Sequence, residues 1–209
     1  MNSDTEKKDL IVLVADRNME ATIEGILARY KSLGIHEIRK DIRRHPEKDS
    51  GCLVSGVEYL RPFINQYNYA LLMFDMEGCG QEHKTRLEIE SHLEKKLNDS
   101  GWNKRALAIV IEPELDIWCW NDSPHVEEVF GWTERRPNLK DWLRIRGFLK
   151  DHQIKPDKPK EALEEALREV RKPRSSSLYQ LLAEKVSLQK CTDNSFNKLK
   201  MILQKWFTE

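Results

Sequence analysis

Acidic residues follow three of the most apolar segments of the chain. Asp16 comes directly after "LIVLVA", Asp75 and Glu77 follow "ALLMF", and Glu112 and Glu114 follow "RALAIVI". If these segments are parallel strands, their carboxyl ends meet at one edge of a sheet, where α/β proteins bind ligands. Carboxylates gathered at such an edge repel one another unless a proton or a cation lies between them. Oxygen ligands of this kind suit Mg²⁺ or Mn²⁺, so the sequence predicts a metal site.

Two glycines stand just beyond the acidic pair of "FDMEGCG". Gly78 and Gly80 flank Cys79, and residues without a side chain allow a sharp turn and a close approach of the backbone to a phosphate. The alternative interpretation is a strand end whose acids are simply solvated. The spacing alone leaves both interpretations open.

Positive charge is concentrated in the second part of the chain. Residues 1–134 hold 17 Lys and Arg against 25 Asp and Glu, whereas residues 135–205 hold 18 against 9. The cations beside the flexible "SSS" and on the last helical segment are interpreted as a nucleic-acid-binding group that neutralises phosphates near the metal. A docking surface for an acidic partner is the alternative. The residues in this group are Arg171, Lys172, Arg174 and Lys198.

The segments that would position these residues alternate between strand and helix patterns. Continuous apolar runs predict strands at 10–15, 69–75 and 105–113, and the segment 36–45 is interpreted as a second, more exposed strand. Amphipathic stripes predict helices at 17–34, 56–67 and 82–101, the first capped by Asp16 and the last with Leu87, Leu93 and Leu97 facing inward. This alternation predicts an α/β fold with a four-stranded parallel sheet flanked by helices.

No further strand is predicted after Pro113. Six helical segments follow, the first being the short "ELDIWCWND" and the last two the amphipathic segments 178–190 and 195–207. The expected organisation is therefore an α/β domain at 1–122 and a helical C-terminal region at 123–209. The tryptophans of this region are expected to be core residues more often than base-stacking platforms.

Composition narrows the class of protein. The chain has 209 residues, of which 33% are charged and 39% hydrophobic, which is typical of a globular protein that can bury its own core. No apolar run reaches the roughly 20 residues of a membrane span, and the N-terminus is polar, so a cytoplasmic protein without membrane contact is expected. The four cysteines show neither zinc-ligand nor disulfide spacing.

Several of these features together resemble a known domain. An acid after the first strand, the pair in "FDMEG" after the third, and a four-stranded parallel core resemble the Toprim domain of topoisomerases, primases and OLD-type nucleases. "EPELDIWCWND", "KPKEAL" and the terminal helical segments are similar to the RloB and related uncharacterised families of bacterial defence loci. The chain is also similar to small accessory proteins of methylation-associated phage-defence systems.

The resemblance implies a Mg²⁺- or Mn²⁺-dependent nuclease of bacterial anti-phage defence, with DNA favoured over RNA and with other defence proteins as partners. Asp16 or Glu20 would act as the acid/base. The metal would be held by the acids beyond the third and fourth strands, Asp75, Glu77, Glu112 and Glu114.

Two departures from the Toprim pattern support a second hypothesis. Asp16 stands where the family has Glu, and Glu77 stands where its second Asp is usual. Both changes preserve charge, but catalytic geometry is sensitive to shifts of about 1 Å. The alternative function is therefore a catalytically weak, Toprim-derived binding or scaffold subunit of a multi-protein defence complex.

Overall fold

A four-stranded sheet forms the centre of the molecule in the computed structural model, which describes residues 6–208. The strands are β1 (Lys8–Val14), β2 (Lys40–Arg44), β3 (Tyr67–Asp75) and β4 (Ala106–Ile111), in the spatial order β2-β1-β3-β4. All three pairings are parallel. The predicted α/β class and parallel sheet are confirmed. Strands β1, β3 and β4 lie where the apolar runs placed them, and β2 lies within the more exposed segment 36–45.

Helices cover both faces of this sheet. The first part of the chain contributes α1 (Arg17–Ala28), the single turn α2 (Tyr30–Leu33), α3 (Lys48–Leu60) and α4 (Arg86–Leu97). After β4 come a 3₁₀ helix (Leu115–Cys119), α5 (Pro124–Phe130), α6 (Leu139–Ile145), α7 (Pro159–Glu169), α8 (Ser176–Lys185) and α9 (Asn194–Phe207). Within residues 6–208 no helix combines the length and apolarity needed to cross a bilayer.

Alternate residues of the strands build two separate cores. Leu10 and Val12 of β1 face a core shared with α1 and the C-terminal helices, whereas Ile11 and Leu13 face a core shared with α3 and α4. Both sides of the strands are buried, which explains why β1 and β3 are continuous apolar runs rather than alternating ones.

The C-terminal helices pack directly on the α/β part. A Cβ at Gly25 of α1 would lie 2.8 Å from the Cβ of Ala183 on α8, so these helices approach at a distance that only glycine permits. Trp206 of α9 stacks on Tyr69 of β3 with ring centroids 4.5 Å apart. The segments on either side of residue 122 therefore share one hydrophobic core.

Two details of the predicted helices are wrong. Helix α3 begins at Lys48 instead of 56 and ends at Leu60, because Pro62 lies in the 3₁₀ turn Arg61–Phe63. On α4, Leu87 is exposed at 62%, and the buried face is formed by Ile89, Glu90, Leu93 and Leu97. Because Glu90 is buried on that face, the pattern of apolar residues in the sequence did not show which residues of α4 face inward.

Candidate functional site

The carboxyl ends of β1 and β3 each present an oriented carboxylate. Asp16 is the N-cap of α1, as predicted, and its Oδ1 accepts the Met19 N–H at 2.9 Å. Asp75 ends β3, and its Oδ1 accepts the Leu115 N–H at 2.9 Å. Each carboxylate is thus held by one backbone donor, and the second oxygen of each receives no hydrogen bond from residues 6–208.

A third carboxylate at this edge was not among the predicted site residues. Asp49, in the first turn of α3, accepts the backbone N–H of Asp75 through its Oδ1 at 2.9 Å. Its segment looked like a solvated loop because the sequence does not show that a helix begins at Lys48. The sequence does show that Asp49 shortly follows the second predicted strand, which would place it at the same edge as the other acids.

Crowding of negative charge at this edge changes the protonation of Asp75. Burial, followed by the charges of Asp49, Asp16, Asp116 and Glu114, raises the pKa of Asp75 well above its usual value. Burial and the neighbouring Asp16 also raise the pKa of Asp49. Crowded carboxylates favour a bound proton or a cation between them, and the crowding is thus a feature expected of a cation-binding edge.

The end of β4 adds a second pair of acids. Glu114 is buried, and burial together with Asp116 raises the pKa of Glu114 to about 7. Lys160, at the start of α7, lies 3.6 Å from Glu114 Oε2 and opposes that rise. The charges of Asp116 and Glu77 also act on Lys160, so its cation belongs to this edge. Neither Asp116 nor Lys160 was singled out from the sequence.

Asp116 already has a permanent counter-ion. Its carboxylate accepts hydrogen bonds from Arg174 Nη2 at 2.9 and 3.2 Å and from the Tyr179 hydroxyl at 2.6 Å, and its side chain is only 2% exposed. Asp116 is thus a structural anchor for the segment that begins α8. The ion pair with Arg174 offsets much of the negative charge of Asp116.

The remaining predicted acids lie further out. Glu77 and Glu112 are exposed, and Glu77 is joined to the end of β4 by a backbone hydrogen bond from its N–H to the Pro113 carbonyl at 2.9 Å. Glu20 lies one turn into α1 and forms an ion pair with Arg44 Nε at 3.1 Å. All predicted acids therefore lie around the carboxyl edge of the sheet, but not in one tight cluster.

The donor set fits Mg²⁺ or Mn²⁺ in kind, since all of its members are hard carboxylate oxygens. Among residues 6–208, however, no group of three or more His, Cys, Asp or Glu side chains is arranged to hold a metal ion. A cation at this edge would need side-chain rotation to complete its coordination. Metal binding by Asp75, Glu77, Glu112 and Glu114 stays a prediction.

Three of the four cations predicted to bind nucleic acid have internal partners. Arg174 binds Asp116, and Lys198 Nζ contacts Glu90 at 3.1 Å, Glu94 at 2.6 Å and the Ala108 carbonyl at 2.8 Å. Lys172 Nζ donates to the Val129 carbonyl at 3.1 Å, and Arg171 is exposed. Lys198 joins α9 to α4 and β4, Arg174 joins the start of α8 to the 3₁₀ helix after β4, and Lys172 bonds within the C-terminal region. A role of these cations in nucleic-acid binding stays a prediction.

No protein-family model, no curated protein and no solved structure matches this chain.

Proposed function

We propose that this protein is a Toprim-like, Mg²⁺- or Mn²⁺-dependent phosphodiester-cleaving protein. Its proposed substrate is nucleic acid, with DNA favoured over RNA, and its proposed setting is anti-phage defence in the bacterial cytoplasm, with other defence proteins as partners. One observation carries the proposal. The Asp75 carboxylate lies at the carboxyl edge of a parallel sheet, where burial and the charges of the neighbouring acids raise its pKa.

The proposed ligands are Asp75 and Glu77, with Glu112 or Glu114 completing the set. Asp75 is oriented by the Leu115 N–H, which leaves its second oxygen for a ligand. When bound, a divalent ion would stabilise charge on the phosphate and lower the pKa of a water molecule. Lys160 supplies a positive charge next to Glu114, at the same edge of the sheet.

Asp16 is the stronger candidate of the two for the acid/base position. Its Oδ1 is held by the Met19 N–H, so the carboxylate has a defined orientation, and its charge acts on both Asp75 and Asp49. Glu20 is instead paired with Arg44. In this role, the second oxygen of Asp16 would exchange a proton beside the acids that are proposed to hold the metal.

The scaffold hypothesis has its own support. Asp16 and Glu20 already serve as a helix cap and an ion-pair partner, and the acids of the described residues do not converge on one point. A binding subunit would need no more than this. A nuclease and a scaffold subunit could both bind a metal, so a cleavage assay is needed to distinguish them.

Thermal unfolding tests the metal edge. A cation that binds only the folded state raises the melting temperature by mass action, so Mn²⁺ or Mg²⁺ is expected to raise that of the wild type. Asp75→Ala is expected to abolish the metal-dependent increment, and Glu58→Gln, an exposed acid on α3, is the matched control. An equal increment in wild type and Asp75→Ala would remove Asp75 from the site.

Cleavage tests the reaction. Purified protein with Mn²⁺ is expected to nick plasmid DNA, and Asp75→Asn to remove the activity, because asparagine keeps the shape and loses the charge. Asp16→Glu is expected to retain or raise the activity if Asp16 is the acid/base, whereas loss of activity would assign that role elsewhere. Inactivity of every form, with partner proteins present and metal bound, would favour the scaffold.

A further inference from the structure

A second feature lies beside the acidic edge, between the β1–α1 and β2–α3 connections. It is an open, mainly polar cleft of about 740 Å³, within the range of ligand sites in proteins. Its cations are Arg17 at the start of α1, Arg43 and Arg44 at the end of β2, and Lys48 at the start of α3. Three different segments of the chain therefore direct positive side chains into one concavity.

Three of these cations have no ion-pair partner among residues 6–208. Arg44 is paired with Glu20, but Arg17, Arg43 and Lys48 are exposed and form no ion pair within that range. Two acids, Asp16 and Glu20, also line the cleft, so its lining keeps an excess of positive charge that an anion would compensate. The arrangement is thus suited to an anionic ligand with more than one charge.

One residue that lines the cleft, His45, is held through both of its ring nitrogens. His45 is buried, its Nδ1 accepts the Glu47 N–H at 3.1 Å, and its Nε2 lies 3.0 Å from Ser55 Oγ. Because Nδ1 is an acceptor, Nε2 carries the proton and donates to the serine, so this pair is structural and not a nucleophile with its base. A Cβ at Gly51 would lie 2.2 Å from His45 Nδ1, so glycine is required to seat the ring.

The cleft and the acidic edge are continuous. Asp16 lines the cleft, and its charge also acts on Asp75 and Asp49. A chain of phosphates lying on Arg17, Arg43 and Lys48 would therefore lie beside the acids of this edge. The cleft is open, as the binding of an extended strand requires.

We propose that this cleft binds the phosphate backbone of a nucleic-acid strand and leads it to the acidic edge, with Arg17, Arg43 and Lys48 as the phosphate contacts. This inference rests on the proposed function for the identity of the ligand. It assigns the binding surface to the α/β part of the chain, and not to the cations near the C-terminus.

Fluorescence anisotropy with a labelled single-stranded DNA oligonucleotide, in EDTA, tests the cleft without any metal or cleavage. Arg43→Ala/Lys48→Ala is expected to weaken binding roughly tenfold at physiological salt, and to reduce the slope of log K against log salt by about 1.4 for two lost phosphate contacts. Lys190→Ala/Lys205→Ala removes the same charge from exposed sites in the helical region and is expected to bind like the wild type. Arg171→Ala is expected to do the same.

Each other outcome overturns the inference. Wild-type affinity in the cleft variant, weakening in the Arg171→Ala or lysine controls, or no binding by the wild type would each exclude the cleft as the binding surface. If polyglutamate competes with the DNA equally well, the cleft is a general polyanion-binding surface and not a nucleic-acid site. Binding through the cleft without cleavage by any form would leave this inference standing while the proposed nuclease activity fails.

Discussion

Two groups of basic residues in this protein look alike in the sequence and differ in the structure. Two cations of the C-terminal region, Arg174 and Lys198, are bound to buried acids of the α/β part, and Lys198 also to a carbonyl group. The cations of the cleft, Arg17 and Arg43, come from the more acidic part of the chain and form no ion pair within residues 6–208. A high local count of Lys and Arg therefore does not identify the cations that are free to meet a ligand.

The largest expected effect is on the Asp116–Arg174 pair. Arg174→Met leaves a buried carboxylate without its counter-ion, and the free energy of unfolding is expected to fall by about 3–5 kcal/mol. Urea denaturation measures the loss, and Arg171→Met, at an exposed neighbour, is expected to stay within about 0.5 kcal/mol of the wild type. Adding Asp116→Asn to Arg174→Met is expected to recover part of the loss. Equal stability of the two arginine variants would contradict the structural role of Arg174.

Lys198 is expected to follow with a smaller effect. Lys198→Met removes contacts with Glu90, which is 2% exposed, and with Glu94 and the Ala108 carbonyl. Because Arg86 still pairs with Glu90 at 2.8 Å, a loss of about 2–3 kcal/mol is expected. Lys205→Met on the same helix is the control for urea denaturation. If Lys198→Met lowers the free energy of unfolding no more than Lys205→Met does, Lys198 contributes no more to stability than a cation without an ion pair.

The acidic edge should make stability depend on pH. Since the pKa of Glu114 is raised from 4.5 to about 7, the folded state binds more protons than the unfolded state across that interval. The metal-free protein should therefore lose roughly 2 kcal/mol of stability from this group as the pH rises from about 4.5 to 7. Glu114→Gln should flatten that part of the profile in urea denaturation series, whereas Glu58→Gln should not. A profile unchanged by Glu114→Gln would refute the assignment.

The smallest expected effect completes the comparison. Arg17→Ala and Arg43→Ala are each expected to change the free energy of unfolding by less than about 0.5 kcal/mol, because exposed cations without an ion pair contribute little to folding. Thermal and urea unfolding measure this. A loss above about 1 kcal/mol would show that the cleft cations are structural, as those of the C-terminal region are.

Much of the fold was predictable because local patterns carry it. The buried strands are continuous apolar runs, Asp16 caps α1, and the acids follow the strands, so the parallel sheet and its acidic edge follow from the sequence. The start of α3 was missed because its first turn is polar and lacks a side-chain cap. Asp49 was overlooked for the same reason. The burial of Glu90 on α4 likewise left no local signal, and Leu87 was placed on the wrong face.

The sequence by itself determined the strands, the helices and the side of the sheet on which the acids gather, because these depend on residues that are neighbours or one helical turn apart. Only the tertiary structure decided which charges are available. Arg174 meets Asp116 across 58 positions, and Lys198 meets Glu90 across 108. The cleft cations come from separate segments that chain folding brings together. Charge pairing over such distances depends on how the helices pack, and no local pattern records it.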